Sequence, residues 1–226
     1  MSDDCAGPSR IERRKEETRR RILDAALQVF AERGYYEAIV DEIVRTSGTS
    51  KGAFYHHFPS KQDIFLELVD ELIGRLARRV DEAIARESGA AAKVDAALAT
   101  VFDSFASHRQ LAKILLVDVV GLGRAFDRKL LDARAHLAGV IRRYLEEAVA
   151  EGSIPPLDTE VAAYAWLGAI DEVVVRWLHT GQPDLLARAR PALRELLLKS
   201  IGARGREHEQ DGQDRQDRHD GRDEGR

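Results

Sequence analysis

The chain has a single cysteine, Cys5, among its 226 residues, and that cysteine sits in a polar stretch at the N-terminus. One cysteine forms no internal disulfide and no thiolate metal cluster, so packing alone must hold the fold, as suits a reducing compartment. Long uncharged apolar runs are also missing. No window of about 18 residues is apolar enough to span a bilayer, and residues 1–7 hold no apolar segment of the signal-peptide kind. A cytoplasmic protein without membrane attachment is expected. Aromatic residues reach only 6%, and no Asn-Gly or Asp-Gly turn joins two alternating apolar runs, so β-hairpins are not expected. Excess positive charge is lacking too. The net charge of −4 excludes a uniformly basic coat for nucleic acid, although it leaves room for a local basic patch. Finally, no nucleophile–base pair, metal-ligand set or phosphate-binding glycine loop occurs at usable spacing. No catalytic residue, metal or cofactor is therefore expected.

What the chain has in abundance is helical periodicity. Ile22, Leu23, Ala26, Leu27, Val29 and Phe30 form one apolar face that Gly34 should terminate. Further helices are expected over residues 40–46, 50–56, 61–86, 91–107, 111–120, 125–150, 159–179 and 184–201, with Pro191 breaking or kinking the last. The fold class is all-α: an N-terminal three-helix domain containing a helix-turn-helix, followed by a C-terminal helical bundle. The expected boundaries are a flexible basic arm over 1–17, the helix-turn-helix domain over 18–58 and the bundle over 59–202. Residues 203–226 lack any apolar anchor and should form a disordered charged tail.

Residues 40–56 carry the clearest chemistry. Two short helical segments flank Ser47-Gly48-Thr49, and glycine accepts the left-handed conformation such a turn needs. Ser50 is placed to cap the second segment, presenting Lys51, Gly52 and Ala53 to a major groove. The small residues allow close backbone approach, and Lys51 can donate to guanine acceptors. Tyr55, His56 and His57 add further donors, while Arg19 and Lys61 can meet phosphates. Adjacent histidines on a helix point about 100° apart, so His56 and His57 fit DNA contact better than joint chelation.

This stretch, with the run SKGAFYHHFPSK from Ser50 to Lys61, resembles the DNA-binding domain of the TetR family of bacterial repressors. The resemblance implies a reading helix over 50–56 and phosphate contacts from Tyr55, His57 and Lys61. It also implies a homodimer on a palindromic operator, released when a small molecule occupies the C-terminal bundle. One position departs from the family pattern: Ile39 stands where a Thr or Ser usually caps the second helix, although Glu42 supplies the other half of a capping box. Ile39 is then either an unsatisfied cap or a residue buried against Ile43 and the first helix.

Downstream, residues 159–179 are apolar almost all round and must be covered on several sides. They form either a central core helix or a dimer interface, with Ala165, Gly168, Ala169 and Trp177 as interface candidates. Phe102, Phe105, Leu115, Asp118, Tyr144 and Trp166 are the candidates to line a pocket for an apolar effector, against the plainer reading that they are core. Asp118 stands in an apolar run, where a buried carboxylate needs an arginine partner or a ligand. The rival to a regulator is an all-helical enzyme with an interhelical site around Asp118, Asp132 and His136.

Overall fold

The computed structural model describes residues 9–120 and 122–202. The expected tail, the outer part of the expected arm, and Cys5 lie outside the described residues. Those described form nine α-helices and one π-helical turn, without strands.

Helix α1 (Arg10–Glu37) begins well before the expected domain start. A capping box explains why: Ser9 Oγ accepts the Glu12 amide at 3.2 Å, and Glu12 accepts the Ser9 amide at 2.6 Å. The inner part of the expected flexible arm is therefore the first two turns of this helix. Gly34 sits at φ 81°, breaking the helical dihedrals before a final helical stretch to Glu37. Helices α2 (Val40–Ser47) and α3 (Lys51–His57) follow as a tight pair. Ser60 then caps α4 (Lys61–Ala85) by accepting the Asp63 amide at 3.2 Å.

Beyond α4 come α5 (Ala90–Ser107), the short α6 (Arg109–Lys113) and a π-helical turn over Ile114–Asp118. The bundle closes with α7 (Arg124–Ala150), α8 (Thr159–Thr180) and α9 (Leu185–Ser200). Helix α9 runs through Pro191 without the expected break. The proline and Ala187, whose carbonyl loses its amide partner, both lie on the exposed face, where water can serve that carbonyl.

Two apolar cores result. The first gathers Ile22, Ala26, Phe30, Ile43, Phe54 and Phe58 with Ile64, Phe65, Leu68 and Val69 of α4. It continues through Leu111, Ile114, Val119 and Phe126, so the N-terminal helices are welded to the near end of the bundle. The second holds Leu98, Phe102, Trp166, Val174, Trp177 and Leu197. Helix α4 serves both ends: Leu76, Val80 and Ile84 on its far half pack with α5 and α7. Each buried side chain of this size stabilises by roughly 1.5–3 kcal/mol, so separating α4 from the first core would be costly.

The cap of α2 is the weak local joint. Ile39 occupies the N-cap position, makes no side-chain cap hydrogen bond and is 56% exposed. The open alternative thus resolves in favour of an unsatisfied cap. We expect Ile39→Thr to supply the missing acceptor for the Asp41 or Glu42 amide and to stabilise the protein by about 0.5–2 kcal/mol. Thermal and denaturant melts check this; a lower midpoint would mean that the exposed isoleucine makes apolar contacts outweighing a cap.

A candidate DNA-reading unit and an apolar cavity

The turn between α2 and α3 is built from three elements. Gly48 sits at φ 61°, ψ 33° and returns its amide to the Arg45 and Val44 carbonyls. From α1, the Arg21 guanidinium donates to the Ser47 carbonyl at 2.7 Å and the Gly48 carbonyl at 3.0 Å. A Cβ on Gly48 would come within 3.2 Å of that guanidinium, a second reason for glycine. The hydroxyls of Ser47 and Thr49 share a hydrogen bond of 2.7 Å, and Ser50 Oγ accepts the Ala53 amide at 3.0 Å. Phe54 and Phe58 are fully buried, which fixes α3 against α1.

That anchoring leaves Ser50, Lys51, Gly52, Tyr55 and His56 exposed on α3, with Thr49, Ala53 and His57 half-buried beside them. Lys51 Nζ lies 2.7 Å from Asp41 Oδ1 of α2, and this hydrogen bond raises the lysine pKa. Burial, and next the charge of His56, pulls the His57 pKa below the usual histidine value. A Cβ on Gly52 would meet nothing closer than Ser50 Oγ at 3.8 Å. No contact within the protein requires a glycine there.

Two expected phosphate ligands are occupied otherwise. The Lys61 ammonium donates to the carbonyls of Tyr35 at 2.8 Å, Ala38 at 2.9 Å and Tyr36 at 3.3 Å, and lies 4.6 Å from the Tyr35 ring centre. Three donors on three carbonyls make it a C-terminal latch for α1, and burial lowers its pKa. Arg19 pairs with Glu67 of α4 and lies over the Phe58 ring. Arg20 likewise pairs with Glu71. Arg19 and Lys61 were expected to meet phosphates; their partners within the protein lie too far along the chain to be seen in any local pattern.

A cavity of about 300 Å³ opens in the bundle, walled by α4, α5, α7, α8 and α9. Of the expected pocket residues, Phe105, Tyr144 and Trp166 line it. Phe102 is buried in the second core, and Leu115 packs against the first. Asp118 is half-exposed in the π-helical turn and, among the described residues, makes neither an arginine pair nor a cavity contact. Partial exposure removes the need for a partner. The polar ends of the two lining aromatics are engaged: Tyr144 donates to Asp81 at 3.2 Å, and the Trp166 indole donates to Ser200 Oγ at 3.0 Å.

Comparison with known proteins agrees with this layout. Residues 22–68 match the family described as bacterial regulatory proteins, tetR family, and residues 87–182 match a tetracyclin repressor-like C-terminal domain. An HTH-type transcriptional regulator of Bacillus subtilis, YdgC, is 31% identical over 174 residues, covering 74% of this chain and 85% of the relative. The chain belongs to the TetR family. The fatty acid metabolism regulator protein of Bacillus subtilis is 29% identical over 80% of this chain and 93% of its own length. The structure of FadR from Bacillus subtilis in complex with stearoyl-CoA superposes with a TM-score of 0.71 at 26% identity, covering 82% of this chain and 99% of that one. This TetR-family member is a DNA-binding transcriptional regulator, and the enzyme alternative falls. Asp132 and His136, two of its three proposed residues, lie exposed on the surface of α7.

Gly52 gives the most discriminating check on the reading face. Gly52→Ala should keep or raise stability, by up to about 1 kcal/mol from helix propensity, because the added methyl makes only an ordinary contact with Ser50 Oγ. If α3 enters the major groove by this face, the substitution should weaken operator binding, because the methyl would stand between the backbone and a base edge. Unchanged operator affinity in a gel-shift titration would show that this part of α3 stands clear of the DNA.

Proposed function

We propose that the protein is a homodimeric repressor in the cytoplasm that reads a palindromic operator with α3 and lets go when an apolar small molecule enters the cavity. The observation that carries this reading is the dual placement of α4. It starts directly after the reading helix, and its far half forms one wall of the cavity. A ligand that fits one setting of this wall better than another shifts the population of reading-helix positions by its differential affinity alone. The relative crystallised with stearoyl-CoA supports an effector with an acyl chain. On this reading, residues up to Phe58 are the DNA-binding domain and those from Pro59 the effector domain, with Ser50, Lys51, Gly52, Ala53, Tyr55 and His56 facing the DNA. A cavity of this size falls at the lower end of the range for small-molecule sites, roughly 300–1,000 Å³. The direct test is a gel shift on the DNA flanking the gene. A salt-dependent complex that dissolves on adding a long-chain amphiphile is expected, and binding without sequence preference would contradict the reading.

The dimer is assigned to the outer face of α8. Val161, Tyr164, Ala165 and Gly168 are exposed there at helical spacing, and Leu196 of α9 is exposed as well. Trp177 is withdrawn from the interface candidates: it is 6% exposed, sits in the second core, and lies under the Arg109 guanidinium. Ala169 also packs inward. The apolar pattern of α8 is continuous around the helix because one side fills the protomer and the other side is proposed to fill the dimer.

A Cβ on Gly168 meets nothing within 4 Å, so a side chain can start there without a clash in the protomer, and Gly168→Leu is expected to fold. In the dimer it should overpack the contact, at a cost of about 1–3 kcal/mol. Sedimentation at several concentrations should show a variant that melts normally at high concentration yet dissociates on dilution and loses operator affinity. A fully dimeric variant would move the interface elsewhere.

A further inference from the structure

The cavity has a directional chemistry. Its near end, toward the reading unit, is walled by Leu76, Val101, Phe105 and Ile170. Its far end gathers Lys93 on the first turns of α5, Glu147 and Glu151 at the end of α7, and Ser153 just beyond. These lie at the same end because α5 begins where α4 stops, and α7 starts in the first core and ends away from it. Among the lining residues Lys93 is the single cation; it is half-buried and forms no ion pair among the described residues. The lining aromatics have spent their polar atoms on Asp81 and Ser200.

We propose that the effector is a long-chain fatty acid held by its free carboxylate at Lys93, rather than a CoA thioester. This rests on reading the cavity as the effector site and names the head group that site accepts. An apolar cavity with one unpaired ammonium at its far end matches an apolar chain ending in one negative charge. A CoA head group brings several phosphate charges, and the same end offers two carboxylates, Glu147 and Glu151, against that one lysine. Two carboxylates beside one lysine oppose a polyanion and leave a monoanion matched. The two exposed carboxylates thus act as a filter on the head group rather than on the chain.

The test uses the full-length protein with three probes of equal chain length: myristate, its methyl ester and myristoyl-CoA. Binding is followed by quenching of Trp166 fluorescence, with Trp166→Phe identifying the background from Trp177, and by release of operator DNA. Myristate is expected to bind most tightly. Lys93→Gln should weaken myristate by roughly ten- to hundredfold, the worth of a charge-assisted hydrogen bond, and leave the ester unchanged. Lys93→Arg should restore most of the loss. Tighter binding of myristoyl-CoA than of myristate, or an equal loss for acid and ester in Lys93→Gln, would overturn the head-group assignment while leaving an apolar effector in place. Failure of all three probes to quench Trp166 would instead overturn the effector reading of the cavity.

Discussion

The structure depends on one helix having to satisfy two cores. Ile64, Phe65, Leu68 and Val69 on the near half of α4 are buried with the reading unit, and Leu76, Val80 and Ile84 on the far half are buried against the bundle. Close packing resists gradual deformation, so a change on one half moves the whole helix or moves nothing. Polar contacts strengthen the near attachment. Lys61 grips three carbonyls at the end of α1, while Arg19 and Arg20 reach from α1 to Glu67 and Glu71. The segment from Leu111 to Val119 is a second strap, since Leu111, Ile114 and Val119 belong to the first core while Ala112, Leu116 and Val117 pack with the second. The π-helical turn falls inside this strap, and such turns adjust the phase of a helix so that both faces can pack.

Much of this was legible in the sequence. The helices fall almost where the 3.6-residue period and the Ser, Gly and Pro signals placed them, because those signals are local. The cap-deficient Ile39 and the Gly48 turn were legible for the same reason. What escaped was long-range. Arg19 and Lys61 look like phosphate ligands beside a helix-turn-helix, and within the protein they also hold Glu67 and the end of α1. A cation carries no mark in the sequence of whether its partner is a phosphate or a carbonyl. The start of α1 was missed because Ser9 and Glu12 were not read as a capping box.

The bundle shows the same division. The apolar character of α8 was plain, yet a helix that is apolar on every side does not say which face turns inward. Trp177 and Gly168, both called for the interface, therefore separate: one is core and the other exposed. Asp118 was expected to need a partner because its neighbours are apolar. The π-helical turn leaves it half-exposed, a geometry that no heptad or 3.6-residue count anticipates.

The central claim is that α4 carries the state of the cavity to the reading helices as one body. The most direct measurement is the distance between two spin labels, one per protomer, on Gln28→Cys in a Cys5→Ser background. Gln28 is exposed on α1 and rides with the reading unit. Distances would be compared for the operator-bound protein and for protein saturated with an amphiphile that quenches Trp166. A narrow distribution with its centre displaced in the ligand-bound protein is the result the account predicts. Identical distributions, with operator DNA nonetheless released, would contradict it.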